Sequence, residues 1–220
     1  MSSYGYPPVR RGIQFSRTEL RHILLAMVVL TMAFTLAFSR VLSPNELSLA
    51  DRLISYLLLA SIAVPTGFLL HELGHKVVAQ RYGCLAEFRS YPRGLFLALI
   101  TGLLGFLFAA PGAVVISGYV DKRQNGRISI AGPLVNLGIG AGFFALWFIL
   151  RGTGVDPVIV ENMSLLKLMW GAAFINLLLG AFNMMPFPPL DGSKVLRWDL
   201  RAYGLLLVAI IGLLASLYFL

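Results

Sequence analysis

The chain has 220 residues, 58% of them hydrophobic and only 13% charged, with a mean hydropathy of +0.80. A soluble domain carries about a quarter of its residues as charged side chains, so these values exclude an ordinary soluble protein and point to a multi-pass protein of the lipid bilayer. The net charge of +8 is spread between apolar runs, which reads as topology-setting flanks and excludes a nucleic-acid surface, while a single cysteine, Cys84, excludes an intramolecular disulfide or a cysteine zinc cluster.

In chain order, residues 1–20 are expected to form a mobile cytosolic tail containing Tyr6-Pro7-Pro8 and Arg10-Arg11. The N-terminus has no short apolar core followed by a small-residue cleavage site, so no removable signal peptide is expected. The remainder, residues 21–220, is expected to be one integral-membrane domain with its core over 53–196. Apolar runs cover Ile23–Ser39, Leu53–Leu70, Leu95–Val120, Ile128–Leu150, Met163–Met185 and Tyr203–Leu220, and a full helical span needs about 20 residues. The third run is broken at Ala110-Pro111-Gly112, and its β-branched continuation Ala113–Ser117 predicts a strand.

Two topologies follow: six spans, or five spans with a membrane-inserted helix/strand hairpin between the second and the next. With five spans the Lys and Arg residues divide 14 against 4 between the two sides; with six they divide 10 against 8. The positive-inside rule selects five, with a cytosolic N-terminus. The expected fold class is therefore an all-α polytopic membrane protein with about five spanning helices plus that hairpin.

His71-Glu72-Leu73-Gly74-His75 ends the second run. Positions i and i+4 share one helix face, so both imidazoles can reach one ion, with Glu72 beside them as a general base. Zinc suits imidazole and carboxylate donors, and a catalytic site keeps one position open. A chance match at a helix end is the plain alternative, but ionisable groups at membrane depth are costly unless paired or functional.

A third ligand is required. Asp191 follows Pro186, Pro188 and Pro189, whose irregular backbone would suit the wall of a polar cavity. It could equally be an ordinary Asp-Gly turn, and His22 is a rival donor. In the five-span topology the second and fifth apolar runs both end on the cytosolic side, which brings His75 and Asp191 to one end of the molecule. In the six-span topology they lie on opposite faces.

His71–His75, Ala131-Gly132-Pro133-Leu134-Val135-Asn136 and Asn183–Gly192 together resemble the site-2 protease family of intramembrane metalloproteases, in the family's order over Leu53–Leu196. The resemblance implies that His71, His75 and Asp191 bind one zinc ion and that Glu72 is the catalytic base. It implies hydrolysis of a peptide bond in or near the transmembrane segment of a protein or peptide substrate. Asn136 and Asn183 fall on family motif positions and are candidates for holding substrate backbone or the ligand loop; interhelical hydrogen bonding is the alternative for both. Gly138 and Gly142 are read as close-packing positions. No stretch resembles a PDZ or CBS accessory domain.

A helical substrate must be unwound before its carbonyls are accessible, and the strand at Ala113–Ser117 is expected to offer an edge for it, an expectation that Val115→Pro would test. Two other classes remain in view. One is a metal-binding membrane protein without proteolysis, such as a carrier or pseudoenzyme, against which Glu72 and the lack of internal repeats argue. The other is a serine protease using Ser117 or Ser129, for which no spare histidine is well placed.

Overall fold

The computed structural model describes residues 13–41, 47–160 and 163–220; most of the expected N-terminal tail, residues 1–12, lies outside them. Among the described residues five helices are long and apolar enough to cross a membrane: Arg17–Arg40, Leu49–Arg81, Lys122–Thr153, Leu165–Asn183 and Leu200–Phe219. Apolar side chains such as Leu24, Val28, Leu205 and Val208 remain exposed on them, as lipid-facing surfaces require.

The helix starts follow local chemistry. Helix α1 (Arg17–Val41) opens where Ser16 Oγ accepts from Glu19 N at 3.1 Å. It therefore takes in residues 17–20, which the sequence assigned to the tail. Helix α2 (Leu49–Val64) opens at Ser48, whose side chain accepts from Asp51 N. Pro65 lacks an N–H, and Pro65–Leu69 forms a π-helical turn before α3 (Leu70–Arg81) continues the same span.

The run Leu95–Val120 does not cross. Strand β1 (Leu85–Ser90) leads into α4 (Pro92–Leu103), and the chain returns as β2 (Gly112–Ser117), antiparallel to β1 with Phe88 opposite Val114. Helix α4 lies against α1: a Cβ on Gly102 would come within 2.6 Å of the Ala33 carbonyl. Helix α4 has only 12 residues, and the pairing of β2 with β1 brings the chain back to where it left, which yields the five-span architecture with its helix/strand hairpin.

Helix α5 (Lys122–Thr153) is set by a capping box between Asp121 and Gln124 and ends at Gly154 with φ of 70°. After a short hairpin of β3 (Val158–Val160) and β4 (Met163–Ser164) come α6 (Leu165–Asn183), α7 (Asp191–Trp198) and α8 (Leu200–Phe219). Trp147, Leu177 and Ile210 belong to the core that joins α5, α6 and α8. The expectation for Gly138 and Gly142 is corrected: nothing lies within 4 Å of a Cβ on either, whereas one on Gly140 would meet Leu177 at 2.6 Å. Close approach belongs to the face that carries Gly140, two positions from each.

Candidate metal centre

His71 and His75 lie one turn apart on α3, and their Nε2 atoms are 3.0 Å apart. Asp191, the first residue of α7, brings Oδ2 to 3.3 Å from His71 Nε2 and 3.0 Å from His75 Nε2. Zinc bonds of about 2.0–2.1 Å at a tetrahedral angle separate ligand atoms by about 3.3–3.4 Å. The three atoms thus form a triangle of the size one ion needs, and His71, His75 and Asp191 could hold it.

Each imidazole is oriented through its other nitrogen. His71 Nδ1 lies 2.6 Å from Asn136 Oδ1, and Asn136 Nδ2 donates to the Gly67 and Asn176 carbonyls at 3.0 and 3.1 Å. Those two acceptors fix the amide so that its oxygen faces the ring, which makes Nδ1 the protonated nitrogen and leaves Nε2 free. His75 Nδ1 donates to the Ile128 carbonyl at 2.7 Å with the same result. The Gly67 carbonyl belongs to the π turn, so the irregular segment before His71 is also what anchors Asn136.

Gly132 on α5 supplies a further test of fit. A Cβ there would lie 2.5 Å from His75 Nε2 and 2.6 Å from His71 Nε2, in the space an ion would occupy. Glycine leaves that space open.

Asp191 is delivered by the proline-rich connection Met184–Leu190. The chain folds back so closely that a Cβ on Gly192 would come within 2.1 Å of the Met184 carbonyl. As a ligand beside two imidazoles whose Nε2 atoms are free, Asp191 would serve in its deprotonated form, as metal ligation requires.

Glu72 is not one of the three converging donors; it lies beside them and accepts from Val114 N of β2 at 3.2 Å. It shares with His71, His75 and Asp191 a cavity of about 310 Å³, whose walls include Ser129, Asn183 and Lys194. Asn136 is 0% exposed and faces His71, not that cavity. Asn183 lines the cavity while its amide donates to the Leu179 carbonyl of its own helix at 3.0 Å. His22 is engaged elsewhere, with Ser90 on β1.

Sequence reasoning passed over the roles of Gly132, of the Ile128 carbonyl and of the Asn136–His71 contact. Gly132 and Asn136 carried a local signal, both lying in the Ala131–Asn136 motif, whereas the Ile128 carbonyl carried none. Asn136→Ala should leave His71 Nδ1 without a partner and weaken zinc binding by about 10- to 100-fold, read by competition with a chromogenic chelator.

Two buried imidazoles and a carboxylate converge beside a second carboxylate in an all-α multi-pass membrane chain, a donor set that suits zinc. The chain is 36% identical to MJ0611 of Methanocaldococcus jannaschii, named as a candidate zinc metalloprotease, over 94% of its own length and 97% of that protein. It is 32% identical to Rip3 of Mycobacterium tuberculosis, also named as a candidate zinc metalloprotease, over 78% of the chain but 39% of Rip3. It is 32% identical to the zinc metalloprotease MJ0392 of Methanocaldococcus jannaschii over 62% of the chain and 33% of that relative. The model of peptidase family M50 matches residues 156–204, and no solved structure matches. The chain belongs to peptidase family M50, the site-2 proteases.

Proposed function

We propose that the protein is an intramembrane protease in which His71, His75 and Asp191 bind a single zinc ion and Glu72 is the general base. The reading extends to residues 21–220 acting as one catalytic domain, with the N-terminus and the site on the cytosolic side. That orientation is supported by the division of Lys and Arg. A zinc ion there supplies Lewis-acid activation of water and of the scissile carbonyl. Glu72 takes the proton of the attacking water and returns it to the leaving amine, while the cavity walls limit access of bulk solvent.

The observation that carries this reading is the contact between Glu72 and Val114 N. In an antiparallel pair, successive residues alternate between facing the partner strand and facing away. Phe88 and Val114 are opposite each other, and each directs its N–H outside the ladder, to Glu19 at 2.9 Å and to Glu72. By the same alternation Gly112 and Ile116 face the free edge of β2, beside the catalytic cavity. An unwound substrate segment pairing with that edge would run past Glu72 and the metal.

This parity changes the informative variant. Val115 faces β1, so Val115→Pro would break the hairpin itself, whereas Ile116→Pro removes one outward donor and keeps the ladder. The test is cleavage of a single-span substrate by the full chain in proteoliposomes. Wild type is expected to cut within or beside the span, chelation to stop it, and Ile116→Pro to lower kcat/KM roughly tenfold at unchanged zinc content. Unaltered cleavage by Ile116→Pro would sink the edge-strand reading, and full activity after complete metal removal would sink the protease assignment.

A further inference from the structure

Glu19 and Lys76 are the most deeply buried charged pair among the described residues, and the chemistry above uses neither. Both side chains are 0% exposed, and Lys76 Nζ lies 2.6 and 2.5 Å from the two Glu19 carboxylate oxygens. Lys76 directly follows the metal-site His75. Its ammonium also lies 4.3 Å from the centre of the Phe15 ring.

Glu19 has a second task. Its Oε1 accepts Phe88 N at 2.9 Å, and one turn later His22 Nδ1 accepts Ser90 N at 3.0 Å. Phe88 and Ser90 are the positions at which β1 directs its donors away from β2. Helix α1 therefore occupies these outer donors of β1 and leaves β2 as the edge where another strand can add.

The contacts close a circuit. From His75 the path runs to Lys76, through Glu19 to Phe88, across the sheet to Val114, and through Glu72 back to the same helix. Hairpin and metal site are tied at two points, one on each strand, by groups that cannot slide apart without leaving a charge or an N–H buried and unpaired.

We infer that Glu19, neutralised by Lys76, is a positioning residue that fixes the β1–β2 hairpin against the metal-site helix and so sets which peptide bond of a strand-bound substrate is cut. The inference rests on the edge-strand protease reading above. Each residue of a strand advances the chain by about 3.3 Å, so a hairpin free to shift by a fraction of that distance would offer neighbouring carbonyls to the site.

The test compares two double variants in which both charges are removed together, a replacement that buried pairs commonly tolerate. Glu19→Gln/Lys76→Met keeps an oxygen for Phe88 N; Glu19→Leu/Lys76→Met does not. Full-chain protein in proteoliposomes is given a single-span substrate, product ends are mapped by mass spectrometry, and zinc is measured on the same samples. Both variants should hold zinc as wild type does. The Gln/Met variant should cut at the wild-type bond. The Leu/Met variant should spread its cuts to neighbouring bonds, with kcat/KM lower by about 10- to 100-fold.

A single wild-type cut at wild-type kcat/KM in the Leu/Met variant overturns the inference. If that variant loses zinc, His22→Ala decides: it removes only the Ser90 contact and should displace part of the cuts, and an unchanged product map overturns the inference. Failure of the underlying reading looks different, since zinc-loaded wild type would then make no cut at all, and the inference would fall with it.

Discussion

Replacing Glu72 by Gln should abolish peptide hydrolysis while zinc stays bound at the wild-type level. Glu72 lies beside the ligand triangle but is not part of it, and its contact is Val114 N at 3.2 Å. A glutamine keeps an oxygen for that N–H, so the relation between β2 and α3 is preserved. What disappears is the group able to accept a proton from water and return it to the amine. General acid–base catalysis contributes about 10²–10⁴-fold, so kcat should fall by at least that factor with little change in KM. Zinc content and cleavage measured on one preparation decide it. A variant with full zinc and a rate near wild type would remove Glu72 from the mechanism, and one that loses zinc would make it part of the metal shell.

Gly132→Ala should abolish zinc binding without unfolding the chain. The added methyl would lie 2.5 and 2.6 Å from the two Nε2 atoms, whereas an ion needs about 2.0–2.1 Å to each and its own volume between them. The two cannot coexist unless α5 moves away from α3. The helix itself favours the change, since alanine exceeds glycine in helix propensity by about 1 kcal/mol. Overlap of the methyl with both imidazoles opposes that gain by about 1–3 kcal/mol, so thermal unfolding without metal should be unchanged or moderately lowered, while zinc content falls to background and activity with it. Gly138→Ala and Gly142→Ala, where a Cβ meets nothing within 4 Å, serve as controls that should keep zinc. Full zinc occupancy in Gly132→Ala would show that the ion does not sit between the two imidazoles.

The two variants divide the centre by function. One leaves the metal and removes the base; the other leaves the base and removes the metal. Agreement between them would tie hydrolysis to both features of one cavity, whereas activity in the zinc-free glycine variant would point to chemistry elsewhere in the chain.

The spacing of His71, Glu72 and His75 carried its own geometry, because i and i+4 share a helix face whatever surrounds them. The five spans were legible from apolar run lengths and the placement of Lys and Arg, since the bilayer imposes those rules along the chain and not across it. Asp191 was reachable by combining the two, because its apolar run ends on the same side as that of His75. Fold class, and the expectation of a zinc site at His71, His75 and Asp191 beside Glu72, were thus readable before any tertiary contact was known.

The rest depended on groups distant in sequence. Lys76 counted as one more topology charge, yet it is wholly buried against Glu19, 57 residues away. Asn136 was read as holding substrate backbone or the ligand loop, with interhelical hydrogen bonding as the alternative; the structure has the alternative, and the partner, His71, lies 65 residues away. Gly132 was one small residue among many until α3 lay against α5. The strand at Gly112–Ser117 could be anticipated from its β-branched residues, but which of its N–H groups face outward was fixed only by its register with β1. Periodicity and hydropathy are properties of neighbouring residues, so the sequence by itself determined the helices, the crossing number and the ligand face of α3. Orientation of the imidazoles, space for the ion and the open edge of β2 are contacts between elements, and only the packing of α1, α5 and the hairpin around α3 decided them.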